Sequence, residues 1–265
     1  MSHQTNYIKA IQIILLAIVF LAGCNHSGPT QHGEQSTLYV SAASSLTDTL
    51  KEIELEFEEE HPSINVILNL ASSGTLQRQI EQGAPADVFL SASEEKFEAL
   101  MKKGLLDTQH TTKLLQNELV LITQKDHTVH LNELQGITRS EIRRISIGVP
   151  ASVPAGRYAK ESLQSTNIWK TVKNKMVYAK DVRQVLTYVE TGNVDIGFVY
   201  ATDAKVSDQI KVINTVKSRH HSPIIYPAGI VKGTEKQEAA IDFFTFLKSE
   251  FAHKTFKDYG FIPID

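Results

Sequence analysis

The sequence predicts an α/β protein in two lobes, and three observations carry that expectation. From Thr37 onward, short apolar stretches with strand character alternate with amphipathic stretches of helical period. The alternation runs through two successive series, one for each lobe. The chain has 265 residues, 42% of them hydrophobic and 22% charged, which is enough apolar material for a large globular body. Strand–helix alternation implies parallel sheets. The formal net charge of -3 offers no generally basic surface for nucleic acid, and a single cysteine rules out an internal disulfide framework or a cysteine-based metal cluster.

Taken in order, "TLYVSA" reads as a strand and Ser45 to Glu60 as a helix with Leu46, Leu50, Ile53 and Phe57 at helical spacing. Its acidic stretch, Glu52 to Glu60, reads as a solvated outer face. "INVILNL" is a strand, followed by a helix from Thr75 to Gln82 that Gly83 closes. "DVFLSA" is a strand, followed by a helix from Glu94 to Lys103 that Gly104 closes. "ELVLIT" begins a second series. "RRISIGV", a helix from Ala155 to Gln164, "NKMVYA", a helix from Val182 to Glu190 and "DIGFVY" complete it. "SPIIYPAGIV" is a further strand, and the phenylalanine-rich tail from Lys236 to Tyr259 reads as helix. "ELVLIT" and "SPIIYPAGIV" bridge the two series. They predict one lobe from 37–118 plus 226–265 and another from 119–225. Two crossings allow a hinge. Trp169 is expected in the core or at a lobe edge.

The first 36 residues read differently. Lys9 precedes a short apolar run, Ile13 to Ala22, which is shorter than the roughly 20 residues of a spanning helix and fits a signal peptide over 1–23. Leu21-Ala22-Gly23-Cys24 resembles the bacterial lipobox, in which the cysteine is acylated and becomes the new N-terminus. An ordinary signal peptide or short anchor with a chance cysteine is the plainer alternative. Small residues ahead of a cysteine at the very end of the apolar run favour the lipobox. Residues 24–36 then form a lipidated start and a polar, flexible tether.

Four helices begin at unusual junctions: Ser41 to Thr47, Ala71 to Thr75, Val153 to Gly156, and Ala179 to Val182. A helix start leaves backbone N–H groups without internal partners and carries roughly half a positive charge, so it holds an anion without a basic side chain. Serine, threonine and aspartate are also ordinary helix caps, and any one such junction reads most simply as a cap. Four of them, two in each series, lie where open α/β sheets gather ligands, beyond the carboxyl ends of strands.

These residues carry a resemblance. "AASSLTDTL", "ASSGTLQRQIEQGAPADVFLSA", "VPAGRYAKESL", "KDVRQVLTYVETGNVDIGFVYATDA" and the closing "YGFIPI" resemble the periplasmic molybdate-binding proteins of ABC transporters, from about Thr37 to the C-terminus. The resemblance implies the type II periplasmic-binding-protein fold, with the ligand in the cleft between the lobes and no enzymatic activity. It implies molybdate or tungstate as ligand, no cofactor, and no metal bound directly by side chains. It further implies an ABC permease as partner and a monomer held on the extracytoplasmic face of the membrane through Cys24. Carried over by position, the ligand contacts are Ser45 and Ser73 through hydroxyl and N–H, Ala155 and Val182 through N–H, and Tyr200 through its phenol O–H. Ser44 and Gly74 stand where the family pattern admits alanine and serine, and neither departure removes one of these donors.

Rival readings rest on weaker signals. Ser93 to Lys96 matches the Ser-x-x-Lys pattern of penicillin-recognising enzymes, but its usual partner motifs are missing, so Ser93 reads as a helix cap. His127, His130, His220 and His221 have no carboxylates at ligand spacing and read as surface histidines, not a metal site. A phosphate or sulfate carrier is the close alternative. Phosphate keeps a proton at neutral pH and gains from an acceptor, for which Asp48 and Asp181 are candidates. Asp181 reads as the cap of its helix, and Asp48 as facing solvent.

Overall fold

The computed structural model describes residues 35–129, 131 and 133–264. Cys24, the signal-peptide and tether expectations, and His130 all lie outside the described residues. From Ser36 on, the chain forms one unit built on two sheets.

The first sheet has the order β11-β4-β10-β3-β1-β2. Here β1 is Ser36–Ala43, β2 Ile64–Ala71, β3 Val88–Leu90, β4 Leu106–Gln116, β10 Ile225–Val231 and β11 Ile262–Pro263. The second has the order β7-β6-β8-β5-β9. Its strands are β5 Leu119–Gln124, β6 Ile145–Gly148, β7 Met176–Ala179, β8 Ile196–Tyr200 and β9 Ile210–Thr215. The chain therefore passes between the sheets twice, after Gln116 and again between Thr215 and Ile225.

Both sheets are mixed, not parallel as the alternation implied. β1 pairs in parallel with β2 and β3, and β6 with β7 and β8. β10 is antiparallel to β3 and β4, and β5 is antiparallel to β8 and β9. The antiparallel members are the strands beside the two crossings, which return the chain without a helix. β4 and β9 carry many polar residues and do not announce themselves as strands. Their pairing with β10 and β5 makes them so.

The helices follow the expected order. α1 is Thr47–Glu60, entered through a single 3-10 turn at Ser44–Leu46; α2 is Ser73–Glu81 and α3 Glu94–Lys102. In the second lobe α4 is Pro154–Ser165, α5 Trp169–Val172, α6 Val182–Glu190 and α7 Ala201–Lys205. Pro154 occupies the first turn of α4, where a missing N–H costs nothing. Gly156 lets α4 sit hard against β6: a Cβ there would lie 1.9 Å from the Gly148 carbonyl oxygen. The C-terminal tail is two helices, α8 Gln237–Phe246 and α9 Glu250–Asp258, where one was expected. Ser249 divides them, because its extended backbone and its Oγ, which accepts from Ala252 N at 3.1 Å, start a new helix. Phe243 and Phe246 of α8 pack edge-on against Phe57 of α1, at 5.1 and 5.4 Å between ring centres. Trp169 is half-buried at the start of α5, with Lys160 Nζ over its ring. Among the described residues, no helix is long and apolar enough to cross a membrane.

Candidate functional site

Each of the four junctions places a helix start at the carboxyl end of a strand. β1 runs into the Ser44–Leu46 turn, β2 into α2, β6 into α4 through Val149 to Val153, and β7 into α6. β8 ends at Tyr200. These ends converge. Ser45, Ser73, Ala155, Val182 and Tyr200 line one small, tightly closed cavity, with Ser44, Ser72 and Ala92 beside them. Every residue lining it is uncharged.

The hydrogen bonds show which way the polar groups point. Ser73 Oγ accepts from Ala92 N–H at 2.9 Å, which leaves its own proton to donate. Ser45 Oγ lies 2.9 Å from the Tyr226 hydroxyl. The N–H groups of Ala155 and Val182 fall in the first turns of α4 and α6, ahead of any intrahelical acceptor. The Tyr200 hydroxyl is fully buried and has no hydrogen-bond partner. Burial first, then Tyr226, Tyr158 and the Asp203 carboxylate, hold its phenol well above its ordinary pKa, so it remains a donor. A buried donor without a partner is costly unless a ligand meets it.

Around the cavity the two lobes touch directly. Gly74 N–H donates to the Ser152 carbonyl at 2.9 Å. Only glycine fits as drawn, since a Cβ at position 74 would lie 2.6 Å from that oxygen. Tyr158 donates its O–H to the Ala92 carbonyl at 3.4 Å. Arg157 Nε of α4 lies 3.4 Å from Glu95 of α3. Arg183, next to Val182, reaches Asp48 of α1 at 2.5 Å. Its Nε also lies 2.8 Å from Asp203 Oδ1, an ion-pair distance at an angle that makes no directed hydrogen bond. Asp203 Oδ2 accepts from Tyr200 N–H at 3.2 Å. Burial pushes the Asp203 carboxyl up to about 6, against the pull of Arg183 and of that N–H. Burial opposes the charge on Arg183, but Asp203 and Asp48 outweigh it and raise its pKa.

Asp48 keeps partial exposure, as expected, but is also held by Arg183 across the cleft, because α6 presents that guanidinium to the first turn of α1. Asp181 caps α6 and accepts from Gln184 N–H at 2.8 Å. Neither aspartate lines the cavity; both border a separate, open groove with Arg183. Ser93 caps α3. His127 Nδ1 lies against Thr123 Oγ1, and His220 Nδ1 against Ser165 Oγ. A further groove, bordered by Glu133, Leu134, Lys217, Arg219 and His220, is open to solvent and lies away from the four junctions. The sequence reading missed Tyr226, Asn117 and Arg183. Only Arg183 left a signal, as a charged residue in the first turn of a helix at an anion site.

Comparison with known proteins decides the family. The family described as bacterial extracellular solute-binding proteins matches residues 38–262. The chain belongs to this family. A Bacillus subtilis protein, provisionally named an ABC transporter substrate-binding lipoprotein, is 46% identical over 93% of this chain and 95% of its own length. The molybdate-binding protein of Haemophilus influenzae is 39% identical over 84% of this chain and 88% of its own. The solved periplasmic molybdate-binding protein of Azotobacter vinelandii aligns with a TM-score of 0.78 over 86% of this chain and all of its own, at 23% identity, and so shares the two-lobed fold. As a member of this family the protein is an extracellular solute-binding protein and not an enzyme.

Proposed function

We propose that this solute-binding protein captures molybdate, and tungstate equally well, between its lobes and delivers it to an ABC permease. In this reading the lobes are 37–118 with 226–265, and 119–225, and acylated Cys24 holds the protein on the extracytoplasmic face of the membrane. The carrying observation is the buried, uncharged cavity whose polar groups are donors, with the Tyr200 O–H left without a partner. Ser45 and Ser73 donate from one lobe, Ala155, Val182 and Tyr200 from the other. A tetrahedral dianion whose oxygens are all acceptors satisfies such a set. Each hydrogen bond to a charged group contributes about 1.5–3 kcal/mol net. Five to seven of them support sub-micromolar affinity, about 8–12 kcal/mol after ordering costs. Relatives named as molybdate-binding proteins support the same ligand.

Sulfate offers the same charge and the same acceptors, so size separates it. Its shorter bonds leave donors on one lobe stretched, at about 1–3 kcal/mol for each one unmet. Calorimetric titration with molybdate, tungstate, sulfate and phosphate tests the reading. Molybdate and tungstate should bind alike, and sulfate on the order of a hundredfold more weakly. Sulfate binding as tightly as molybdate would make the protein a general oxyanion carrier.

A further inference from the structure

A chain of buried hydrogen bonds leads from Ser45 away from the cavity to both places where the polypeptide crosses between the sheets. Asn117 lies in the first crossing, between β4 and β5, and Tyr226 opens β10 just after the second. Asn117 Oδ1 accepts from Glu118 N–H at 2.8 Å, which fixes the orientation of the amide. Its Nδ2 therefore faces Thr202 Oγ1 at 2.9 Å and the Tyr226 hydroxyl at 3.3 Å. Nitrogen can only donate there, so the Tyr226 oxygen accepts. Tyr226 is 1% exposed. Burial first, then the charge on Asp203, raise its phenol well above its ordinary pKa and keep it protonated. Its single proton then has one partner within reach, Ser45 Oγ at 2.9 Å. Ser45 accepts that proton, so its own hydrogen points away from Tyr226 and is left to donate into the cavity. The Tyr226 ring also braces Tyr200 edge-on, at 5.8 Å between centres.

We propose that Asn117 and Tyr226 are positioning residues which, through this relay, orient the Ser45 hydroxyl as a donor to the bound anion. The inference rests on the oxyanion reading above. It adds that the choice of an unprotonated ligand is enforced from the interlobe crossings, by residues that do not touch the ligand. Without the relay the Ser45 hydroxyl is free to rotate and to accept a proton, which favours a protonated anion such as hydrogen phosphate.

The test is a double-mutant cycle on the full chain, read by titration with molybdate and with inorganic phosphate, using Tyr226→Phe, Ser45→Ala and the pair. Tyr226→Phe keeps the ring and its packing. It should lose about tenfold in molybdate affinity, the scale of one misdirected bond to a charged acceptor. Its preference for molybdate over phosphate should narrow. In the Ser45→Ala background the same change should do nothing further, an outcome that loss of ring packing does not produce. Equal molybdate affinity in Tyr226→Phe and parent overturns the relay, as does an equal loss in both backgrounds. Should Tyr226→Phe not fold, Asn117→Ala is judged by the same cycle, with coupling to Ser45 as the expected result and additivity as the contrary one. A parent protein that binds no tetrahedral oxyanion overturns the reading beneath the relay instead.

Discussion

Inside the cavity the lining residues carry no charge, whereas around it Arg183 meets Asp48 and Asp203, and Arg157 meets Glu95. Both regions join the same two lobes, by different physics. The interior uses neutral dipoles; on the proposed reading, a cation there would add desolvation cost and hold the anion too firmly. The rim uses charges, of which those on Asp48 and Glu95 are partly exposed and screened by water and salt while Asp203 is buried. The difference assigns selectivity and most of the affinity to the interior. The rim is left to settle how the lobes meet: Arg183 joins the helix that starts at Val182, the first turn of α1 and the buried carboxylate beneath Tyr200. Both of its partners are acidic, so the guanidinium is matched without recourse to the ligand.

Ser73→Ala should produce the largest effect, because it removes two bonds. The ligand loses a donor, about 1.5–3 kcal/mol of binding, and Ala92 N–H loses its acceptor, about 1–3 kcal/mol of stability. Calorimetry and thermal melting read the two losses separately. A variant that loses stability but keeps parental affinity removes Ser73 from the ligand shell.

Tyr200→Phe should cost about 1–3 kcal/mol of binding and leave the ligand-free protein melting no lower than the parent. Its hydroxyl has no partner within the fold, so folding loses nothing with it. Equal affinity in variant and parent would place the cavity's ligand elsewhere.

The rim has its own signature in pH. Burial raises the Asp203 carboxyl from its ordinary 3.8 to about 6. Stability tied to its neutral form is then complete below about pH 4 and lost as pH rises through about 6. Asp203→Asn should gain on the parent across that window, by up to about 3 kcal/mol at roughly 1.4 kcal/mol per pKa unit. Melting curves of both proteins from pH 4 to 7 supply the difference, and parallel curves would show that Arg183 fully compensates the burial.

The smallest effect belongs to Asp48→Asn. The Asp48 side chain is 36% exposed, and Arg183 keeps Asp203 when it is lost. Molybdate affinity should fall by less than about 1 kcal/mol, and the loss should shrink as salt is raised. A loss as large as that of Tyr200→Phe, unchanged in high salt, would erase the distinction between interior and rim.

Residue pattern alone determined much of this protein. Strand–helix alternation gave the α/β class, because periods of two and 3.6 are local properties. The junctions holding Ser45, Ser73, Ala155 and Val182 were legible to within two residues of the helix starts, because caps and first-turn donors are local too. Tertiary structure decided the rest. β4 and β9 are strands by virtue of their partners, and β10 and β5 turn both sheets mixed because each lies beside a crossing that returns the chain directly. The tail breaks at Ser249, where capping a new helix outweighs continuing the old one. Asp48 is in an ion pair because Arg183, 135 positions away in sequence, is folded against it. The sense of the Ser45 hydroxyl depends on Tyr226, 181 positions away. Hydrogen bonds and ion pairs between distant segments have no period and no spacing, so only the assembled lobes reveal them.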